Sequence, residues 1–189
     1  MVKQEISSKD VENLLDDAEY LQDEAEAMKY VIDSVPYDET PPEGYSILDM
    51  LRLIDHAQVS YLRPIVEKVL SENRLQKLSE YDHYRDTFEN ENEEKTEDKP
   101  DVQKVLNRII KHRASLLNIF ERISLIDWER KVRDENGKEI LFFEFADKII
   151  RDERKTLKEI ADLVMIYQNE KQHQREINRK ASQRKENQE

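Results

Sequence analysis

Apolar side chains recur at spacings of three and four residues along 140–167, which is the period of one face of an α-helix. They are Phe142, Phe145, Ala146, Ile149, Ile160, Leu163, Val164 and Tyr167. Asp152 and Thr156 fall on the same predicted face. A carboxylate or hydroxyl inside a core costs free energy unless it is paired. The pattern therefore predicts a long amphipathic helix that carries a solvated notch or a binding site near its middle.

Three earlier stretches show the same period, and the first two begin with a helix-capping signal. Ser7 with Asp10, and Ser46 with Asp49, have the spacing of a capping box, and a third helix opens at Asp101. Each of the four amphipathic helices needs a partner for its apolar face, and a four-helix bundle buries all four faces together. We predict this all-α fold.

The composition agrees with that prediction and limits the function. Only two glycines, five prolines and 39% charged residues describe long helices rather than a turn-rich sheet protein. The net charge of -12 argues against nucleic acid and anionic membranes as partners. The absence of cysteine excludes thiolate sites, and no apolar run is long enough for a membrane span. The expected location is the cytoplasm.

The chain is predicted to be one bundle, residues 1–167, followed by a polar tail, 168–189, that is a helix extension or disordered. The acidic residues 89–100 are predicted to be a mobile, solvated loop. Because so long a connection can run the length of a bundle, we expect a long crossover between helices two and three. Pro64 predicts a kink near residues 60–63. Gly137 lies in a turn that tips a hairpin or resets the chain before the last helix.

Residues 41–65, PPEGYSILDMLRLIDHAQVSYLRPI, resemble the second helix of the DinB/YfiT-like family. Residues 113–130 and 145–160 resemble its third helix with the following Asp-Trp, and its last helix. This resemblance implies an up-down-down-up four-helix bundle. It also implies a divalent metal held by one histidine of helix two and a His-x-x-x-His pair of the last helix, together with thiol-dependent transfer or hydrolysis.

The three ligand positions of the family fall on Leu53, Asp152 and Thr156, and none of them is histidine. Leucine cannot bind a metal, threonine is a weak ligand, and a single aspartate does not hold zinc or nickel tightly. The resemblance therefore implies a degenerate metal site, for which no cofactor is expected. We interpret it as a water-filled notch lined by these three residues.

A rebuilt metal site is the alternative, in which Asp49 and His56 converge with Asp152 or Glu153. A divalent metal would then be the cofactor. The simpler interpretation makes Asp49 the capping acid of helix two, places His56 beside the apolar stripe, and assigns Glu153 to a solvated charge cluster. Trp128 either lines the mouth of the pocket or packs after the third helix.

Three functions remain open from the sequence. The first is a non-catalytic module that binds an unknown small molecule or protein. The second is a metal-dependent thiol transferase or hydrolase that uses the rebuilt site. The third is a homodimeric scaffold whose exposed aromatic residues Tyr81, Tyr84 and Phe88 pack against a partner.

Overall fold

The computed structural model describes residues 6–72, 74–78, 83–94, 101–134 and 136–186. The α-helices are α1 (Ser8–Met28), α2 (Ile47–His56), α3 (Arg63–Ser71), α4 (Tyr84–Glu94), α5 (Val102–Phe120), α6 (Leu125–Trp128) and α7 (Phe142–Glu186). A short 3₁₀ helix (Ile32–Ser34) follows α1. In the described part of the chain, no helix combines the length and apolarity that a membrane crossing requires.

The predicted capping signals at Ser7 and Ser46 begin their helices, and the structure adds a cap at Asp101. The Ser7 hydroxyl accepts the Asp10 amide, and the Asp10 carboxylate accepts the Ser7 amide, which completes a capping box. The Ser46 hydroxyl accepts the Asp49 amide at 3.1 Å. The Asp101 carboxylate accepts the Gln103 amide at 2.8 Å. Each cap satisfies a backbone N–H group that the first turn leaves unpaired.

The predicted kink before Pro64 takes the form of a π-helical segment (Ala57–Leu62) that joins α2 to α3 without a break. Proline has no N–H group, and its ring crowds the carbonyl of the residue four positions earlier, here Ser60. The wider turn relieves this crowding, and such turns are frequent where a proline interrupts the normal hydrogen-bond ladder.

Contacts between the helices give the directions of the bundle. Arg154 pairs with Asp17, and Lys171 donates to the carbonyl of Ser34, so α7 runs parallel to α1. Lys29 contacts Asn107 while Gln103 contacts Asp33, so α5 runs antiparallel to α1.

The second helix completes the arrangement. Arg108 pairs with Asp55, and further along the bundle Leu116 lies beside Leu62. The α5 helix therefore runs parallel to the continuous helix formed by α2, the π-helical segment and α3. The bundle is therefore up-down-down-up, as predicted. Two consecutive parallel helices require a connection that returns along the whole bundle, which explains the crossover between α3 and α5.

The crossover differs from the predicted acidic loop. Residues 89–94 belong to α4, and residues 95–100 lie outside the described part of the chain. Phe88 anchors α4 because its ring is buried beneath the Arg52 guanidinium, 5.6 Å away, and beside His56. The prediction that Phe88 is an exposed interface residue is therefore wrong, while Tyr81 is not described and Tyr84 is half-buried.

A small sheet closes one end of the bundle; the sequence left its hairpin open as an alternative but did not predict its first strand. Its strands are β1 (Gln76–Lys77), β2 (Lys131–Arg133) and β3 (Glu139–Leu141). β1 is parallel to β2, and β2 and β3 form a hairpin. Gly137, with φ of +78°, supplies the left-handed residue of its turn. Arg130 donates to the carbonyl of Val69 at 2.6 Å and so satisfies the C-terminal end of α3.

Candidate functional site

The buried face of α7 passes through Glu153, not Asp152. Ile149, Glu153, Leu157 and Ile160 are buried at spacings of three and four, whereas Asp152 is exposed. Thr156 is half-buried at the edge of this face. The sequence prediction placed the polar interruption one residue too early, because Asp152 and Glu153 both lie near the edge of the stripe and only packing against α2 and α5 decides between them.

Glu153 belongs to a buried polar triad that joins three helices. The guanidinium of Arg113, from α5, pairs with the Glu153 carboxylate, and both side chains lie in the core, 1% and 8% exposed. Gln58, from the π-helical segment, donates its amide to both carboxylate oxygens at 3.1 Å. The assignment of Glu153 to a solvated charge cluster is therefore wrong. A cation and an amide donor replace water around its carboxylate in the core.

The sequence interpretation missed Arg113 and Gln58, although one signal for Arg113 is present. Arg113 continues the apolar stripe of α5, in the series Ile109, Arg113, Leu116 and Phe120 at spacings of three and four. A charged residue in the stripe of one helix requires an opposite charge in the stripe of another. Glu153 is that charge.

The three family ligand positions face one small cavity beside the triad. Leu53, Asp152 and Thr156 all line it, together with Ile54, Ala57, Gln58, Leu62, Tyr84, Ile149 and Glu153. Its volume is about 30 Å³. A space of that size holds one or two waters, whereas drug-sized ligands occupy roughly 300–1,000 Å³.

A larger cleft lies outside this cavity, between α4 and α7. Its volume is about 320 Å³, and it shares Tyr84, Asp152 and Thr156 with the inner cavity. The remaining lining residues are Arg85, Lys148, Lys155 and Glu159. The cleft therefore offers hydroxyl groups and charges of both signs, and it adjoins the narrow, mostly apolar inner cavity.

Of the residues proposed for a rebuilt metal site, Asp152 and Glu153 line the inner cavity, whereas Asp49 and His56 do not. Asp49 accepts the hydroxyl of Ser46, the N-cap residue of α2, at 2.7 Å. The His56 ring packs against Tyr61 and Phe88, with centroids 5.5 and 5.8 Å away. Among the described residues, no three His, Cys, Asp or Glu side chains are grouped so that they could hold a metal ion.

The chemistry of the family positions does not fit a metal either. Leu53 offers no donor atom, and Thr156 donates its hydroxyl to the Asp152 carbonyl at 3.2 Å. The neighbouring carboxylate, Glu153, is already neutralised by Arg113. A divalent cation at this point would meet a nearby guanidinium and too few oxygen ligands.

Trp128 lies away from both spaces, in an aromatic cluster at the sheet end of the bundle. Its fully buried indole stacks on Phe142 at 5.3 Å and meets Phe120 edge-on at 5.2 Å. It is not among the residues that line the inner cavity or the cleft. Trp128 thus packs after the third helix, which was one of the two alternatives open from the sequence.

A second polar contact between α2 and α5 lies one turn from the triad. Asp55 is buried, and its carboxylate pairs with Arg108 at 2.8 Å. Burial raises the pKa of Asp55 above its ordinary value, and the positive charges of Arg108 and His112 counteract only part of that effect. The α2–α5 interface therefore contains a carboxylate whose charge is incompletely compensated.

Comparisons with known proteins support the fold alone. No protein-family model matches the sequence, and no curated protein matches it. The structure is similar to that of YfiT from Bacillus subtilis, described as "a probable metal-dependent hydrolase with an unusual four-helix bundle topology". The TM-score is 0.66 at 13% identity, and the match covers 86% of this chain and 90% of YfiT. The resemblance to the DinB/YfiT-like fold is confirmed, including the order of its helices.

Proposed function

We propose that this chain is a metal-free relative of the YfiT-like bundle that acts in the cytoplasm as a binding module rather than as a metal-dependent hydrolase. The observation that carries the proposal is the ion pair between Glu153 and Arg113 beside the family metal position. The charge that a divalent metal would supply is provided there by a guanidinium of the chain itself.

The cleft between α4 and α7 is the binding site in this proposal. Its volume, about 320 Å³, lies at the lower end of the range for small-molecule sites. Tyr84 and Thr156 can donate or accept hydrogen bonds, and Lys155 and Glu159 bring charges of both signs. The ligand class that fits is a small, polar molecule with a short apolar group that enters the inner cavity.

The metal-free state is tested by restoring the family ligands. Protein purified without chelators is expected to contain no stoichiometric divalent metal by mass spectrometry. The variant Leu53→His/Asp152→His/Thr156→His should acquire one zinc per chain, because all three positions line one cavity. The matched control Asp152→His/Thr156→His retains Leu53 and should not hold zinc stoichiometrically, since it lacks the third protein ligand. One zinc, nickel or manganese per chain in the unaltered protein would overturn the proposal.

Binding to the cleft is tested by ligand-observed NMR with a panel of small organic acids, amines and nucleosides. Thr156→Trp places an indole between the cleft and the inner cavity, and binding of panel members should fall by about tenfold or more. Lys158→Trp adds the same side chain at an exposed position of α7 outside the lining and should bind as the unaltered protein does. Equal binding by both variants would exclude the cleft as the site.

A further inference from the structure

The C-terminal part of α7 projects beyond the bundle. Gln168 and Lys171 still contact Ser34, but every described side chain from 171 to 182 is exposed. Residues 172–186, called the projecting helix below, extend for about 22 Å. A helix of this length is only marginally stable in water without tertiary contacts.

The projecting helix is strongly basic in an acidic protein. Residues 172–186 contain five Lys or Arg and two acids, Glu176 and Glu186, while the whole chain has a net charge of -12. Lys171, Arg175 and Arg179 follow one another at four-residue spacing and therefore share one face. No ion pair joins side chains 171–182 to any other side chain that the structure describes.

The outer face of α1 has the opposite charge. Glu12, Asp16, Glu19, Asp23 and Glu26 are all exposed, opposite the buried residues Leu14, Ala18, Leu21 and Ala25. We call these five carboxylates the acidic face. The sequence has no Lys or Arg between Lys9 and Lys29, and like charges one turn apart destabilise a helix. The acidic face is about 21 Å long, which matches the projecting helix.

The two surfaces cannot meet within one molecule while α7 remains helical. Because Asp17 lies beside Arg154 and Ser34 beside Lys171, the two helices run side by side in the same direction. The projecting helix therefore continues past the C-terminal end of α1 and away from the acidic face. A basic helix that meets this face must come from another molecule.

The end of the bundle from which the helix projects is apolar. Tyr30 is 89% exposed, and Val31 beside it is also exposed. Met165 and Ile166 are exposed on α7 just before its last contacts with Ser34. Such a surface would be covered if two bundles met at this end.

We propose that two copies of this chain form a two-fold dimer in which each projecting helix lies along the acidic face of the other copy. The symmetry makes the contact twice, and it brings the apolar bundle ends together. Arg175 and Arg179 then face carboxylates of the acidic face. This inference concerns assembly and does not depend on the metal or on the cleft.

The dimer is tested by light scattering coupled to size exclusion, with the full chain at micromolar concentration. At about 50 mM salt we expect twice the chain mass of 22.7 kDa. At about 500 mM salt the dimer should dissociate at least tenfold more readily, because exposed charges are screened. A monomer at low salt would overturn the proposal.

Charge reversal identifies the two surfaces. Arg175→Glu/Arg179→Glu and Asp16→Lys/Asp23→Lys are each expected to be monomeric, because each variant opposes like charges. An equimolar mixture of the two should form a heterodimer, since both of its contacts are again complementary. The control Lys111→Glu/Lys158→Glu replaces two positive charges by negative ones, as Arg175→Glu/Arg179→Glu does. Its positions are exposed on α5 and α7 outside both surfaces, so it should remain dimeric.

The mixture distinguishes this arrangement from other dimers. If either charge-reversed variant is as dimeric as the unaltered protein, the surfaces are not those of the interface. If both are monomeric and their mixture is also monomeric, the two surfaces do not contact each other. Either result refutes the proposed dimer. Circular dichroism of each variant verifies that α1 and α7 remain helical.

Discussion

Arg113→Met is expected to destabilise the protein by about 3–5 kcal/mol, because it leaves the Glu153 carboxylate buried without its cation. The methionine fills much of the space of the arginine stem, so the loss is electrostatic rather than a packing defect. Gln58 continues to donate to Glu153 but cannot neutralise its charge. The free energy of unfolding in urea, followed by circular dichroism, measures the loss.

The double variant Arg113→Met/Glu153→Leu should recover most of that loss, because it removes both charges together. Arg63→Met is the control for an exposed pair. Arg63 and Glu67 are 2.9 Å apart with about half of each side chain exposed, and its loss should cost about 1 kcal/mol or less. An Arg113→Met protein within about 1 kcal/mol of the unaltered protein would show that Glu153 accepts a proton or reaches water instead.

Local signals were sufficient to predict where the helices begin and bend. Ser7 and Ser46 each carry a hydroxyl whose capping role depends only on the residue three positions away. The position of Pro64 similarly determines where the helix is distorted. The up-down-down-up order followed from the length of the crossover together with the family resemblance.

The position of the candidate cavity could be predicted from the sequence, but the buried charges beside it could not. Leu53, Asp152 and Thr156 line one cavity as the resemblance implied. The pairing of Glu153 with Arg113 spans two helices, and helical periodicity alone cannot decide which of two adjacent acids turns inward. A search for opposite charges in the stripes of different helices would have identified the pair.

Long-range contacts explain the other differences. β1 pairs with β2 across more than fifty residues, and Arg130 reaches the last carbonyls of α3. Neither contact has a local sequence signal. Phe88 belongs to an acidic, polar stretch, and its burial depends on the groove that Arg52 and His56 provide. These contacts form only between segments that are distant in the sequence, so the local sequence of each segment could not predict them.

Trp128→Ala is expected to cost about 3–5 kcal/mol of stability. The indole is fully buried between Phe120 and Phe142, and its removal leaves a cavity where α6 and the start of α7 meet the end of α5. Because this is the chain's single tryptophan, unfolding must be followed by circular dichroism rather than by fluorescence.

Trp128→Phe is the matched control and should cost only about 1–2 kcal/mol, since a ring remains in the cluster. The indole N–H has no hydrogen-bond partner among the described residues, so phenylalanine forfeits no hydrogen bond that the structure shows. The pair of variants also separates the two roles open for this residue. If Trp128 lined the ligand site, Trp128→Phe would weaken ligand binding with little loss of stability. If Trp128 only packs in the core, Trp128→Phe should lower the free energy of unfolding and leave ligand binding unchanged, because Trp128 does not line the cleft between α4 and α7.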